Sequence, residues 1–292
     1  MSKGNDHFGK ILAWLRRDFS PRPITQNELA EKAGISPSII SNLERGAKAT
    51  LEADTLLRLA QALKIPPRQL REFLISASPL LSTAMPGLEA EKTLQTALKM
   101  LGEIHLPAFL IDTYDNGLAA NEMLLALFPE IESLLYQKQG QPHQFNVLRF
   151  VFHAHSPFQT NLRGNRERYL QQSVSFFQTI SLAWRFTGYY ETLRQALDGD
   201  EELTALRPYW NKKEPMLTEN SLAALGCSFG EISFYSPPIA PIESLFGPLH
   251  LIAYMPANPL TLKIFNDLER KCQGKIKSFC SVPPAGILVT NR

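Results

Sequence analysis

Residues 25–46 read TQNELAEKAGISPSIISNLERG, and few folds can accept that string. Thr25 precedes Glu28 by three residues, so each side chain can satisfy an orphan backbone N–H at the start of a helix. Leu29 and Ala33 share one face of that helix, and Gly34 suits the left-handed position after it. A second start follows at once: Ser36 is an N-cap candidate, Pro37 takes the favoured first position, and Gly46 ends the segment. Ile40 and Leu43 lie three apart on one apolar stripe. Helices this short are unstable alone in water, so neighbours must hold the second one. The small Ala30 and Ala33 let it cross the first helix closely, and its outward face carries Ser38, Ser41 and Asn42.

The neighbours are helical too. FGKILAWLRR places Phe8, Ile11, Leu12 and Leu15 at helical spacing, and SPRP at 20–23 breaks that helix. LEADTLLRLAQALKI predicts a fourth helix with Leu56, Leu59, Ala60 and Leu63 inward. Pro66 and Pro67 open a fifth, through Leu70, Phe73 and Leu74. Five helices whose capped second and third are joined by a Gly-containing turn describe a helix-turn-helix module over residues 1–77. Free N–H groups at the helix starts near Gln26 and Ser36 suit phosphates. Arg45 and Lys48, just past the third helix, can flank a nucleic-acid backbone. Charge agrees in sign. Residues 1–77 hold 12 Lys+Arg and 8 Asp+Glu, a net of +4, leaving 18 and 20, a net of −2, for the remainder.

The string TQ-x-ELA-x-KAG-x-S-x-S-x-IS-x-LERG, followed by a leucine-rich helix, closely resembles the Xre-type, phage-repressor-like helix-turn-helix domain. The resemblance implies binding to double-stranded DNA, with Gln26 on a phosphate and base-reading positions at Pro37, Ser38 and Asn42, Ser41 lying nearby. Pro37 has no donor, so readout is expected to rest on Ser38, Ser41 and Asn42, with Ile39 against a thymine methyl. Glu44 resembles a glutamate that pairs with an arginine of the first helix; Arg16 and Arg17 are both candidates. The expected assembly is a homodimer on two half-sites.

SPLLSTAMPG suggests a linker over 78–88, with a second domain over 89–292. The texture changes at LPAFLIDTYDNGLAAN, a short hairpin turning at Asp115-Asn116-Gly117. FNVLRFVF reads as a buried helix, and RERYLQQSVSFFQTISLAWRF (166–186) as one long helix. YYETLRQAL and DEELTALRPYW follow as helices. GEISFYSP and PLHLIAYMP are strands joined by a Pro-rich connection, and LTLKIFNDLERKC is a last helix. The expected class is α+β: an all-α N-terminal module, then helices on a small antiparallel sheet. These dispersed segments resemble the ligand-binding domain of MmyB-like regulators, which has a PAS-like fold, through Asn121, Arg149, Arg185, Trp210 and Gly230. The resemblance implies an apolar ligand, a fatty acid being the natural candidate, and no required cofactor. Phe150, Phe177, Trp184, Ile232, Phe234 and Leu251 are candidate lining residues; Arg149 or Arg185 can meet a carboxylate head group. Taken singly, each of these reads more simply as plain core, because periodic apolar residues usually mean core, with the arginines paired to local carboxylates; a domain that only dimerises is the alternative.

Other chemistries have less behind them. His153 and His155 form an HxH pair without a clear third metal ligand. Cys227 and His250 have no sequence context linking them as nucleophile and base, so no catalytic residue is assigned and an enzyme fused to a DNA-binding module stays the alternative. Three cysteines, Cys227, Cys272 and Cys280, without CxxC spacing argue against a disulfide framework. No apolar run approaches the roughly 18 residues that span a bilayer, and MSKGNDHFGK lacks an apolar h-region. The expected compartment is therefore the cytoplasm, with no membrane partner.

Overall fold

The computed structural model describes residues 6–19, 21–47, 51–77, 87–210, 222–242, 248–272 and 274–279. The chain forms two compact units. Met1–Ala84 and Gln178–Glu191 make the first; Met85–Phe177 and Thr192–Arg292 make the second. The fold class is α+β.

The first unit holds α1 (Asp6–Arg17), α2 (Gln26–Ala33), α3 (Pro37–Glu44), α4 (Ala53–Ala62) and α5 (Pro67–Ser76). Local signals act as read. Thr25 and Glu28 form a reciprocal capping box, and Gly34, at φ 62°, closes α2. The core joins Phe8, Ile11 and Leu12 of α1 to Leu29, Ala30 and Ala33 of α2, Ile40 and Leu43 of α3, Leu59 and Ala60 of α4, and Phe73 of α5. Burying Ile40 and Leu43 contributes about 1.5–3 kcal/mol each. That outweighs the poor intrinsic stability of an eight-residue helix. Gly9 is a further requirement that sequence reading passed over: a Cβ there would lie 2.3 Å from the Leu43 carbonyl oxygen. The missing side chain lets α1 touch the backbone of α3.

The second unit begins with α6 (Gly87–Gly102), β1 (Ala108–Ile111) and β2 (Gly117–Asn121). There follow α7 (Glu122–Leu127), α8 (Glu130–Tyr136), α9 (Val147–Phe152), α10 (Pro157–Thr160), β3 (Leu162–Arg163), α11 (Arg166–Ile180), α12 (Gly188–Gly199) and α13 (Arg207–Trp210). Then come β4 (Ala223–Cys227), β5 (Gly230–Tyr235), β6 (Pro238–Ile242), β7 (Leu249–Ala253), β8 (Met255–Pro256), α14 (Pro259–Lys271) and β9 (Ile276–Ser278). The strands form two antiparallel sheets, ordered β6-β7-β1-β2-β9 and β3-β4-β5-β8. Leu94, Ala97 and Leu101 of α6 cover Leu110, Leu118, Ala119 and Leu251 of the first sheet.

Several expectations change here. GEISFY and LHLIA do not pair with each other; they lie in different sheets, and only the continuation Met255–Pro256 meets β5. The Pro-rich connection is itself strand β6, at the sheet edge, where a missing N–H is tolerated. The helix expected over 166–186 stops at Ile180; Leu182–Trp184 is a separate 3-10 turn, and Gln178–Glu191 belongs to the first unit. Half of DEELTALRPYW is likewise a 3-10 segment, Glu201–Leu206, before α13. The hairpin at 108–121 forms as read, but Asp115 takes the left-handed conformation, at φ 62°. The proposed loose end at Pro283 and Pro284, and most of the 78–88 linker, lie outside the described residues. Among the described residues, no helix is long and apolar enough to cross a membrane.

Candidate nucleic-acid interface

Three helices converge on one carboxylate. Arg16 of α1 meets Glu44 at the end of α3 in a fork, Nε to Oε1 at 2.6 Å and Nη2 to Oε2 at 2.9 Å. Its Nη1 also donates to the Ile24 carbonyl at 2.7 Å, which fixes the chain entering α2. Gln26, the first residue of α2, donates its amide to Glu44 Oε2 at 2.8 Å. Of the two arginine candidates, the partner is Arg16. Burial raises the Glu44 pKa, but the hydrogen bonds from Arg16 and Gln26 outweigh it and hold the carboxyl below its ordinary value. The Arg16 pKa is raised, chiefly by the bond to Glu44.

This network leaves α3 with one face down and the other out. Ile40 and Leu43 are buried, Pro37 and Ser38 are exposed, and Ile39, Ser41 and Asn42 are half-buried. Ser36 stands at the N-cap with extended backbone, but its side chain makes no cap bond; its Oγ pairs with Ser38 Oγ at 2.6 Å. Ser36 is thus the N-cap by position, as read, but not through a side-chain bond. The hydroxyl turns outward to its neighbour, and the Ser38 N–H at the start of α3 receives no cap bond from it. Arg45 folds back on the same face, donating Nη2 to Asn42 Oδ1 at 2.8 Å and Nε to the Ser41 carbonyl at 3.2 Å. Gln26, Ser36, Pro37, Ser38, Ser41, Asn42 and Arg45 therefore all belong to α2, α3 or their immediate caps. Lys48 lies outside the described residues.

The helix-turn-helix family HTH_3 matches residues 21–70, which span α2, α3 and α4. The HTH-type transcriptional regulator RghRB of Bacillus subtilis (strain 168) is 34% identical over 105 residues, which cover 73% of that protein and 35% of this chain. The chain belongs to the HTH-type transcriptional regulators. The HTH-type transcriptional repressor RghR of the same organism is 39% identical over 61 residues; the chain spans 43% of its length, and the match takes in 21% of the chain.

In the regulator's second unit the candidate ligand residues fall in several settings. Leu251 packs under α6, and Phe150 clusters with Leu134 and Leu135. Phe234 of β5, beside Ile232, stacks on Tyr254 with centroids 4.0 Å apart, and Phe177 meets Trp210 edge-on at 5.6 Å. Trp184 and Arg185 belong to the first unit instead. Arg149 is fully buried and braces a loop: Nη1 donates to the carbonyls of Leu134 and Gln144, and Nη2 to Gln137 Oε1. Asn121 is also structural. Its Oδ1 caps α7 at Leu124 N and accepts from Ala108 N, while its Nδ2 reaches the Leu106 carbonyl. A cleft of about 140 Å³, lined by Leu127, Phe128, Pro157, Asn161 and Cys227 among others, touches none of the eight candidates.

His153 and His155 lie in the loop after α9, where His153 is buried and His155 exposed. His153 accepts at Nδ1 from His155 N, and burial lowers its pKa. Among the described residues no group of three or more His, Cys, Asp or Glu is placed to hold a metal ion. Sequence reading also missed two carboxyls buried in the hairpin turn. Asp112 accepts from Tyr114 N, Asn116 N and Asn116 Nδ2, yet burial pushes its pKa up to about 6. Asp115 Oδ1 has no hydrogen-bond partner among the described residues, and burial together with Asp112 raises the Asp115 pKa well above its ordinary value. A carboxyl with a raised folded pKa adds stability below its unfolded pKa and loses it as pH rises through the folded one. For Asp112 that window runs from 3.8 to about 6, and for Asp115 it starts at 3.8 and extends well upward. Asp115→Asn, which tolerates the left-handed backbone, is expected to stabilise the second unit at pH 7–8 and flatten this dependence. Urea melts of the two proteins at pH 5 and pH 8 check it; parallel curves would refute it.

Proposed function

We propose that this regulator binds double-stranded DNA by laying α3 in the major groove, and that its second unit senses a small apolar ligand. The Arg16–Glu44–Gln26 network carries the first part. It fixes the start of α2 against the end of α3, which supports Gln26 as a phosphate contact and Ser38, Ser41 and Asn42 as base readers. The family match over residues 21–70 supports the same reading. Small readers and a proline at the first helical position give modest discrimination per half-site. A homodimer on half-sites about one helical turn apart, together with DNA shape, supplies the remainder. Repression is the output named for RghR, and it is the output proposed here.

Ser38→Ala with Asn42→Ala is expected to weaken binding to a duplex selected by the wild-type protein from a random library by about tenfold or more. Gln26→Ala is expected to weaken all sequences alike and to reduce the salt dependence. Fluorescence anisotropy at two salt concentrations measures both. Unchanged affinity in all three variants would end the reading.

For the ligand we propose a fatty acid or similar chain. Its support is the buried apolar side chains of Phe177, Ile232 and Phe234 and the buried Arg149, whose Nε has no hydrogen-bond partner among the described residues. Native mass spectrometry of the purified protein, followed by lipid extraction, is expected to show a retained lipid. An apo mass, with no thermal shift on adding C12–C18 fatty acids, would leave a domain that only dimerises.

A further inference from the structure

Residues 178–191 come from the middle of the chain, yet they complete the first unit. They enter as the end of α11 and leave as the start of α12, and both helices continue into residues of the second unit. Leu182 is 1% exposed and belongs to the same apolar core as Ile11, Leu12 and Phe73, with Phe186 packed at the edge of that core. The 3-10 turn lies against α5 and α1. His7 of α1 bonds through Nε2 to the Ala183 carbonyl. Arg185 places its guanidinium over the ring of Trp14, 3.8 Å from the centroid.

The forces on this segment oppose one another. Burial of Leu182 and the cation–π contact hold it in place. Against them stands the burial of a guanidinium cation. Arg185 is 9% exposed, and among the described residues its Nε and Nη1 have no hydrogen-bond partner. A buried cation that lacks part of its hydrogen bonding is costly, and that cost works against the contact. An element of that kind is readily moved between two positions. Its anchor also matters. Trp14 sits two residues before Arg16 on α1, and Arg16 holds Glu44 and, through it, Gln26.

We propose that Gln178–Glu191 is a latch on the DNA-binding unit: seated, it steadies α1 and the Arg16–Glu44–Gln26 network; withdrawn by rearrangement of the second unit, it lowers DNA affinity. This rests on the DNA-binding reading above and adds its route of regulation. The ligand would act by favouring one position of the latch.

The test uses the full chain with Leu182→Ala, which empties the core contact, and Arg185→Met, which removes the charge but keeps an apolar side chain on Trp14. Hydrogen exchange is read on peptides covering 178–191 and α1, and affinity on the duplex selected by the wild-type protein. Leu182→Ala is expected to speed exchange in both peptides and to weaken duplex binding by about tenfold; Arg185→Met is expected to slow exchange in 178–191. Exchange unchanged or faster in Arg185→Met, or duplex binding within twofold of wild type despite fast exchange in Leu182→Ala, overturns the latch. If the wild-type protein selects no duplex, the DNA-binding reading fails and the coupling with it, while the exchange of Arg185→Met still decides whether the segment is held against its buried charge.

Discussion

Glu44→Ala is expected to destabilise the first unit by about 3 kcal/mol, because it strands the Arg16 guanidinium in a largely buried site. Both side chains of the pair are mostly covered, at 12% exposure for Arg16 and 8% for Glu44, so water replaces the lost carboxylate poorly. Gln26 loses its anchor in the same step. DNA affinity should therefore fall even at temperatures where the unit stays folded. The pH dependence has a definite sign. The Glu44 pKa is held below its ordinary 4.5, so its contribution is present above pH 4.5 and is lost as pH falls through the folded value. Urea unfolding, followed by hydrogen exchange in α1–α3 peptides, should show wild type losing stability between pH 6 and pH 3 and Glu44→Gln losing less. Equal losses would remove Glu44 from its assigned place.

Gly9→Ala is the second large effect, and its sign is opposite to the usual one. In a helix interior this change ordinarily stabilises by about 0.5–1 kcal/mol. Here the new methyl would meet the Leu43 carbonyl at 2.3 Å and the Glu44 carbonyl at 3.0 Å, both backbone atoms that cannot rotate away. Overpacking of that kind costs about 1–3 kcal/mol. The helices would have to part at the end of α3, next to Glu44. Gly199→Ala is the control, since a Cβ there meets nothing within 4 Å and no positive φ stands in the way. Thermal melts should show Gly9→Ala lowered and Gly199→Ala unchanged or raised. A neutral Gly9→Ala would mean that α1 and α3 are not in backbone contact.

The two units differ in how much of them local sequence spells out. In the first, α2 carries its own start and stop, and α3 and α5 open on prolines. Thr25 with Glu28, Gly34, Pro37 and the Ile40–Leu43 stripe are rules of a few residues, so they can be read one at a time. The second unit has helix starts of the same kind at Asn121, Asn146, Ser156 and Asn258, but its strands carry no such local signals. The strand Ala223–Cys227 contains Ala, Leu and Gly without alternation, and it is a strand because β3 and β5 flank it. Pro238–Ile242 carries two prolines and reads as a connection, yet an edge position accepts them. Arg149 shows the same limit for a site. An arginine in an apolar helix suggests a ligand head group, while three acceptors from residues 134–144 engage it.

By itself, the sequence determined the five-helix module, the caps and cores of α2 and α3, and the face bearing Ser38, Ser41 and Asn42. These follow from helix periodicity and from hydrogen-bond needs satisfied within three or four residues. Only the tertiary structure decided that Arg16 rather than Arg17 grips Glu44, that Gly9 must lack a side chain, and that Leu182 and Arg185 complete a core whose other members lie between Phe8 and Phe73. The physical reason is common to all three. Each depends on which surfaces come within about 4 Å after the chain has closed, and no local pattern records a distance between segments that far apart.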